Sequence, residues 1–152
     1  MLLRYLEQIK AVESHINDIS KIIEKRKDIN KISDEEVYIV SYMLFNVINE
    51  CLMICRDIVK EKNWISGSET NNFTSAIDTI FKIERLPSEL YLDIKFLIKY
   101  RNNLRIVLFT RNLGKEALKE AYRRLPSLIV FLRTLRKKLE EGVTPHSPGA
   151  ST

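Results

Sequence analysis

The chain has little in it that would break or staple a fold. Only 4 Gly, 4 Pro, 2 Cys and 1 Trp occur in 152 residues. So few turn formers exclude a many-stranded sandwich, which needs a turn signal roughly every eight to twelve residues. Two cysteines cannot build a disulfide framework. Cys51 and Cys55 are four apart, a spacing that a helix turns to one side, and they imply a reducing compartment. The longest apolar runs, such as Met43-Leu44-Phe45, fall far short of the roughly twenty residues that span a bilayer. Met1-Leu2-Leu3-Arg4 also lacks the apolar stretch of a signal peptide, so the expectation is a cytoplasmic protein without a membrane role. No glycine-rich phosphate loop is present, and two cysteines with two distant histidines make no zinc set. Neither a cofactor nor a metal is therefore expected.

What is present points to one helical domain. Apolar residues make up 45% and charged residues 30% of the chain, too apolar for disorder. A chain of this length can bury about 70% of the surface its unfolded form exposes, enough to need no staple. Leu2, Tyr5, Ile9, Val12, Ile16, Ile19 and Ile23 recur every three or four residues and write a narrow seam along a first helix. Ser33-Asp34-Glu35-Glu36 is a capping box that starts a second, running to about residue 62. Its face at Val37, Val40, Leu44, Val47, Ile48, Cys51, Ile54, Cys55 and Ile58 is widened by Ile39, Tyr42, Met43, Phe45, Leu52 and Val59. Such a helix is expected to be covered on several sides. At about 1.5 Å per residue it spans roughly 45 Å, which hints at a partner along part of it.

Residues 64 to 72 read as a loop, and a short third helix follows over 73 to 83 with Ile77, Ile80 and Phe81 inward. Leu86-Pro87-Ser88-Glu89 suits the start of a fourth helix, which Asn112-Leu113-Gly114 would stop. A fifth runs from Lys115 to Glu141 with a seam at Ala121, Leu125, Leu128, Leu132, Leu135 and Leu139, kinked by Pro126. The sequence thus predicts an all-α, up-and-down bundle of four long helices and one short one over 1–141. Residues 142–152 read as a disordered tail.

Two features could carry chemistry. Between Lys95 and Lys138 there are thirteen basic residues against Glu116 and Glu120, a local charge of +11 in a chain of net +5. This is either the footprint of a polyanion or acidic partner, or a solvated Lys/Arg surface. The second is Arg101. At about 100° per residue it falls some 20° from Leu90, amid Ile94, Leu97 and Leu104 in an apolar stripe. Either a core carboxylate pairs with it, or the stripe opens there onto a cleft where the charge meets an anion. His15 lies beside the first seam and reads as packing or a surface donor, and His146 sits in the tail. Cys51 and Cys55 read as core filler.

Phe96-Leu97-Ile98-Lys99-Tyr100-Arg101-Asn102-Asn103-Leu104 resembles the helix that carries the Arg-Asn signature of the HEPN superfamily, in particular its HepT-like proteins. The apolar second helix, the loop after Trp64, the short third helix and the Leu125-Pro126-Ser127-Leu128 ending are similar too, so the likeness covers roughly residues 5 to 138. The resemblance implies an all-α homodimeric RNA endonuclease toxin, encoded beside a minimal nucleotidyltransferase antitoxin and working without metal. In that chemistry a His moves the proton of an attacking ribose 2′-OH while the Arg stabilises phosphoryl charge. The family places His five residues after the Arg and Tyr two further on. Arg101 and Asn102 match; Ile106 and Leu108 stand where the His and Tyr belong. Loss of a general base costs about 10²- to 10⁴-fold in rate. The resemblance therefore implies a catalytically degenerate member that binds RNA or the nucleotidyltransferase through Lys99, Arg101, Arg105 and Arg111. An active RNA endonuclease and a helical interaction protein without a nucleic-acid role are the alternatives.

Overall fold

A computed structural model describes residues 2–26, 28–65, 72–110 and 114–141, with side chains of 105–110 outside that description. The helices of the described residues are α1 (Leu2–Lys25), α2 (Asp34–Glu61), α3 (Phe73–Glu84), α4 (Ser88–Thr110) and α5 (Lys115–Glu141), with a 3-10 turn at Ile29–Lys31. Among the described residues there is no strand, and the chain is an all-α bundle of four long helices and one short one. The segment 142–152 lies outside the described residues.

Local signals start and stop these helices. The Ser33 hydroxyl accepts the Glu36 N–H at 3.1 Å, and the Glu36 carboxylate accepts the Ser33 N–H at 3.0 Å. This capping box opens α2 as the sequence predicts. The Asn72 side chain accepts the N–H groups of Thr74 and Ser75 and opens α3. Arg85 closes α3 in the left-handed region at φ 52°. α5 continues on both sides of Pro126. Gly114 lies outside the left-handed region and accepts the Leu118 N–H at 3.2 Å, so it begins α5. Residues 111–113, the rest of the expected stop signal for α4, lie outside the described residues.

Cross-helix contacts give the directions. Tyr5 meets Glu61, His15 meets Glu50 and Arg26 meets Glu36, so α1 and α2 are antiparallel. Lys115 donates to the Asn30 carbonyl and Arg136 meets Glu13, so α5 is antiparallel to α1. α4 precedes α5, packs on it and on α2, and runs opposite to both. The long helices therefore alternate up and down, with α3 laid in the connection between α2 and α4.

The seams meet in one core. Tyr5, Ile9, Val12, Ile16, Ile19 and Ile23 of α1 are all buried, as are all nine positions of the predicted α2 face and all six of the α5 seam. Phe81 of α3 stacks on Phe131 at 5.3 Å and meets Tyr91 edge-on at 5.2 Å, locking α3 to α4 and α5. One expectation needs correction. Leu52 and Val59 of α2 are buried, but Ile39 and Tyr42 stay exposed, because α1, α3, α4 and α5 leave part of the α2 circumference uncovered. By length and composition α2 could also cross a membrane, although no single apolar run in the sequence is long; half of its most apolar stretch is buried in the bundle.

Candidate anion-binding site at Arg101

Arg101 leaves the α4 stripe half-buried, and residues from three helices shape its surroundings. Its Nη2 donates to the Asn49 Oδ1 of α2 at 2.7 Å, and its Nη1 donates to the Asn102 Oδ1 at 2.9 Å. The guanidinium carbon stands 5.6 Å from the ring centre of Phe45 and 5.1 Å from that of Phe73. Arg56 approaches the Phe73 ring as well, at 5.2 Å. The Asn49 amide is itself turned by a contact from its Nδ2 to Met53 Sδ at 3.5 Å, which keeps the oxygen toward Arg101. The sequence alternatives were a core carboxylate or an open cleft. Among the described residues, two amide oxygens and two phenyl rings stand against the guanidinium. A planar cation held by fixed acceptors and ring faces keeps its orientation, which is what recognition of a planar or tetrahedral anion requires.

Asn102 and Lys99 lie beside it on α4, both exposed. The side chain of Arg105 and the whole of Arg111 lie outside the described residues, as do the side chains of Ile106 and Leu108. His15 Nδ1 lies 3.2 Å from Glu50 Oε2. Asn49 turns to α4 and the adjacent Glu50 to α1, so within one chain α2 directs the imidazole and Arg101 to different neighbours. His146 lies outside the described residues. Among the described residues, no three His, Cys, Asp or Glu side chains gather in a way that could hold a metal ion.

The basic stretch is less bare than its composition implies. Lys95 lies 3.7 Å from Asp78, Arg124 lies 3.5 Å from Asp93 and 3.0 Å from Glu120, and Arg136 lies 3.7 Å from Glu13. Asp78, Asp93 and Glu13 all come from outside the stretch, so folding brings in acids that a local charge count omits. Among the described residues, Lys99, Lys115, Lys137 and Lys138 make no ion pair, Lys115 donating to the Asn30 carbonyl. The positive surface of the described residues thus narrows to α4 around Arg101 and to the two ends of α5.

Two buried groups near this site are structural. Tyr100 is buried, and that burial pushes its hydroxyl up to about 12 although the nearby Ser41 opposes the shift. The neighbouring Cys51 thiol, together with burial, pushes the Cys55 thiol well above its usual range, so Cys55 is not poised as a nucleophile; Cys51 is buried beside it. Phe45, Asn49, Arg56 and Phe73 escaped sequence reasoning. A signal for Asn49 existed: it ends a charge-free run from Val37, in which Asn46 and Asn49 are the amide side chains. Compared with known proteins, the chain matches no family model, no curated protein and no solved structure.

Proposed function

We propose that the chain is a catalytically silent HepT-like HEPN protein that holds an RNA phosphodiester, or a minimal nucleotidyltransferase partner, at the α4 surface around Arg101. The observation that carries this reading is the grip on Arg101: Asn49, Asn102, Phe45 and Phe73 aim a guanidinium from within an apolar stripe toward a half-exposed position. Lys99 and Asn102 stand next to it and add a cation and an amide for phosphate oxygens. The sequence at Ile106 and Leu108 supplies neither the proton shuttle nor the phenol of the family's chemistry, so binding persists in this reading where bond breaking does not. The exposed apolar residues Ile39, Tyr42 and Met53 of α2 support a homodimer formed along that helix.

The test is to incubate the purified protein with single-stranded RNA in EDTA. The expected result is binding without cleavage, an affinity that falls steeply between about 50 and 200 mM salt, and loss of that binding in Arg101→Ala. Cleavage that leaves 2′,3′-cyclic phosphate ends and disappears in Arg101→Ala overturns the silent-enzyme reading. Absence of RNA binding, together with failure to form a complex with a co-expressed nucleotidyltransferase, leaves a helical interaction protein. For the homodimer, light scattering on Tyr42→Glu is expected to report a monomer of 17.8 kDa.

A further inference from the structure

The outward face of α4 carries a groove that meets the Arg101 site at one residue, Asn102. Leu92 exposes 69% of its surface, the most of any exposed large apolar side chain among the described residues. With Phe96, Lys95, Lys99 and Asn102 of α4 and Thr74 of α3 it lines a shallow groove of about 430 Å³. Positions 92, 95, 96, 99 and 102 recur every three or four residues, so the groove follows the helix axis for about 15 Å. Its floor is apolar and its rim is cationic. Asp78 lies 3.7 Å from Lys95 and also accepts the Tyr91 hydroxyl at 2.8 Å, so Lys95 is partly neutralised. Lys99 makes no ion pair among the described residues. The Arg124 guanidinium lies 3.8 Å from the Phe96 ring centre, held there by Asp93 and Glu120, and it occupies one face of that ring.

We propose that this groove docks an acidic amphipathic helix of a partner protein. Apolar side chains of the incoming helix seat on Leu92 and Phe96, and its carboxylates meet Lys99 and Lys95. A groove with an apolar floor and a charged rim is the standard receptor for a helix whose anchors repeat at three and four residues. A single-stranded nucleic acid is served less well. Leu92 offers no ring for stacking, and Arg124 already covers one face of Phe96. The groove shares Lys99 and Asn102 with the reading of the Arg101 site, so the two are told apart at Leu92, which lines the groove but is not in the Arg101 grip, and at Arg101, which does not line the groove.

The experiment uses a fluorescein-labelled synthetic helix of about 16 residues, with Leu at three- and four-residue spacing and Glu between, against a scrambled peptide of the same composition. Fluorescence anisotropy with the full chain is expected to show the amphipathic peptide binding at least about tenfold tighter than the scrambled one. Leu92→Glu and Lys99→Glu each weaken it by about tenfold or more, whereas Arg101→Ala changes it by less than about twofold. Leu92 is exposed enough for its variant to fold, which unchanged far-UV circular dichroism confirms. Equal affinity for the two peptides, no binding of either, or indifference to Leu92→Glu overturns the proposal. So does an RNA oligonucleotide that competes with the peptide and itself loses binding in Leu92→Glu, since the groove is then a nucleic-acid site. Loss of RNA binding in Arg101→Ala with peptide binding intact separates this proposal from the reading of the Arg101 site.

Discussion

α1 and α4 both lay an apolar stripe against α2, and the two stripes are built differently. In α1, six consecutive stripe positions from Tyr5 to Ile23 are buried, and the polar contacts lie at the edges, where Tyr5 meets Glu61 and Arg26 meets Glu36. In α4, Leu90, Ile94, Leu97 and Leu104 are buried, but Arg101 stands among them. α1 spends its whole contact face on removing apolar surface from water, the dominant favourable term in folding. α4 gives up one position to a cation and then needs Asn49, Asn102, Phe45 and Phe73 to accommodate it. The lesson is local: the same helix period serves cohesion in one element and, in the other, the presentation of a charge.

The harshest way to break that comparison is to give α1 what α4 has. Ile16 is 1% exposed, within a run of buried apolar stripe positions. Ile16→Arg is expected to cost about 3–5 kcal/mol or more, since it buries an uncompensated charge. Urea unfolding followed by circular dichroism reads this directly. A variant that retains wild-type stability removes the distinction between the two stripes.

Much of this contrast was legible in the sequence. The α1 seam, the capping box at Ser33 and the misplaced Arg101 all follow from residues within one or two turns of each other. The grip on Arg101 was not legible, because Asn49 lies 52 residues away and its role depends on how α2 and α4 are rotated against each other. The pairing of the basic stretch was hidden for the same reason. Glu13 is distant in sequence from Arg133 and Arg136, and folding brings them together. The exposure of Ile39 and Tyr42 was hidden too, since periodicity says that a face is apolar and not which neighbour covers it.

The next largest effect sharpens the contrast within α4 itself. Tyr100 precedes Arg101 and points into the core, where burial holds its hydroxyl up to about 12 against an ordinary 10.0. Between those two values the unfolded chain has released the proton and the folded chain keeps it, so stability falls as pH rises from 10.0 to about 12. The loss from this one group reaches about 2–3 kcal/mol. Tyr5 is raised to about 12 as well, through burial and then its bond to Glu61, so it contributes to the same limb. Tyr100→Phe is expected to flatten the alkaline limb in part, and urea midpoints taken across that range check it. An unchanged limb places the Tyr100 hydroxyl outside the folding equilibrium.

Replacing the cation of α4 tests whether the stripe needs it. Arg101→Met keeps a long side chain against Phe45 and Phe73 while deleting the charge and the hydrogen bonds to Asn49 and Asn102. Its stability is expected to stay within about 1.5 kcal/mol of the parent, because packing offsets lost cation–π and hydrogen-bond energy. RNA affinity is expected to fall at the same time. A loss of stability as large as that of Ile16→Arg, measured under the same conditions, makes Arg101 a structural member of the stripe instead of a presented charge.

The smallest effect concerns the turn that keeps the α1 stripe in register on α2. Ser33→Ala removes the hydroxyl that accepts the Glu36 N–H, and loss of such a cap costs about 1 kcal/mol. The Glu36 carboxylate still accepts the Ser33 N–H and still meets Arg26 at 3.0 Å, so its hold on the turn survives that variant. The Ser33 N–H, then Arg26, keep the Glu36 carboxyl below its ordinary value of 4.5. Near that value the unfolded chain binds the proton and the folded chain does not, so the contribution is present above it and lost as pH falls through the folded value. The Ser33 side chain also helps to hold the Glu36 carboxyl down, after the Ser33 N–H and Arg26. Ser33→Ala is therefore expected to lower the urea midpoint somewhat more above this range than below it, while Glu36→Gln removes a larger part of the acid limb. Because the turn lies on the α1 side of the bundle, neither variant is expected to alter RNA affinity at Arg101. A change there would mean that the register of α1 on α2 reaches Asn49, and that the two stripes are not independent.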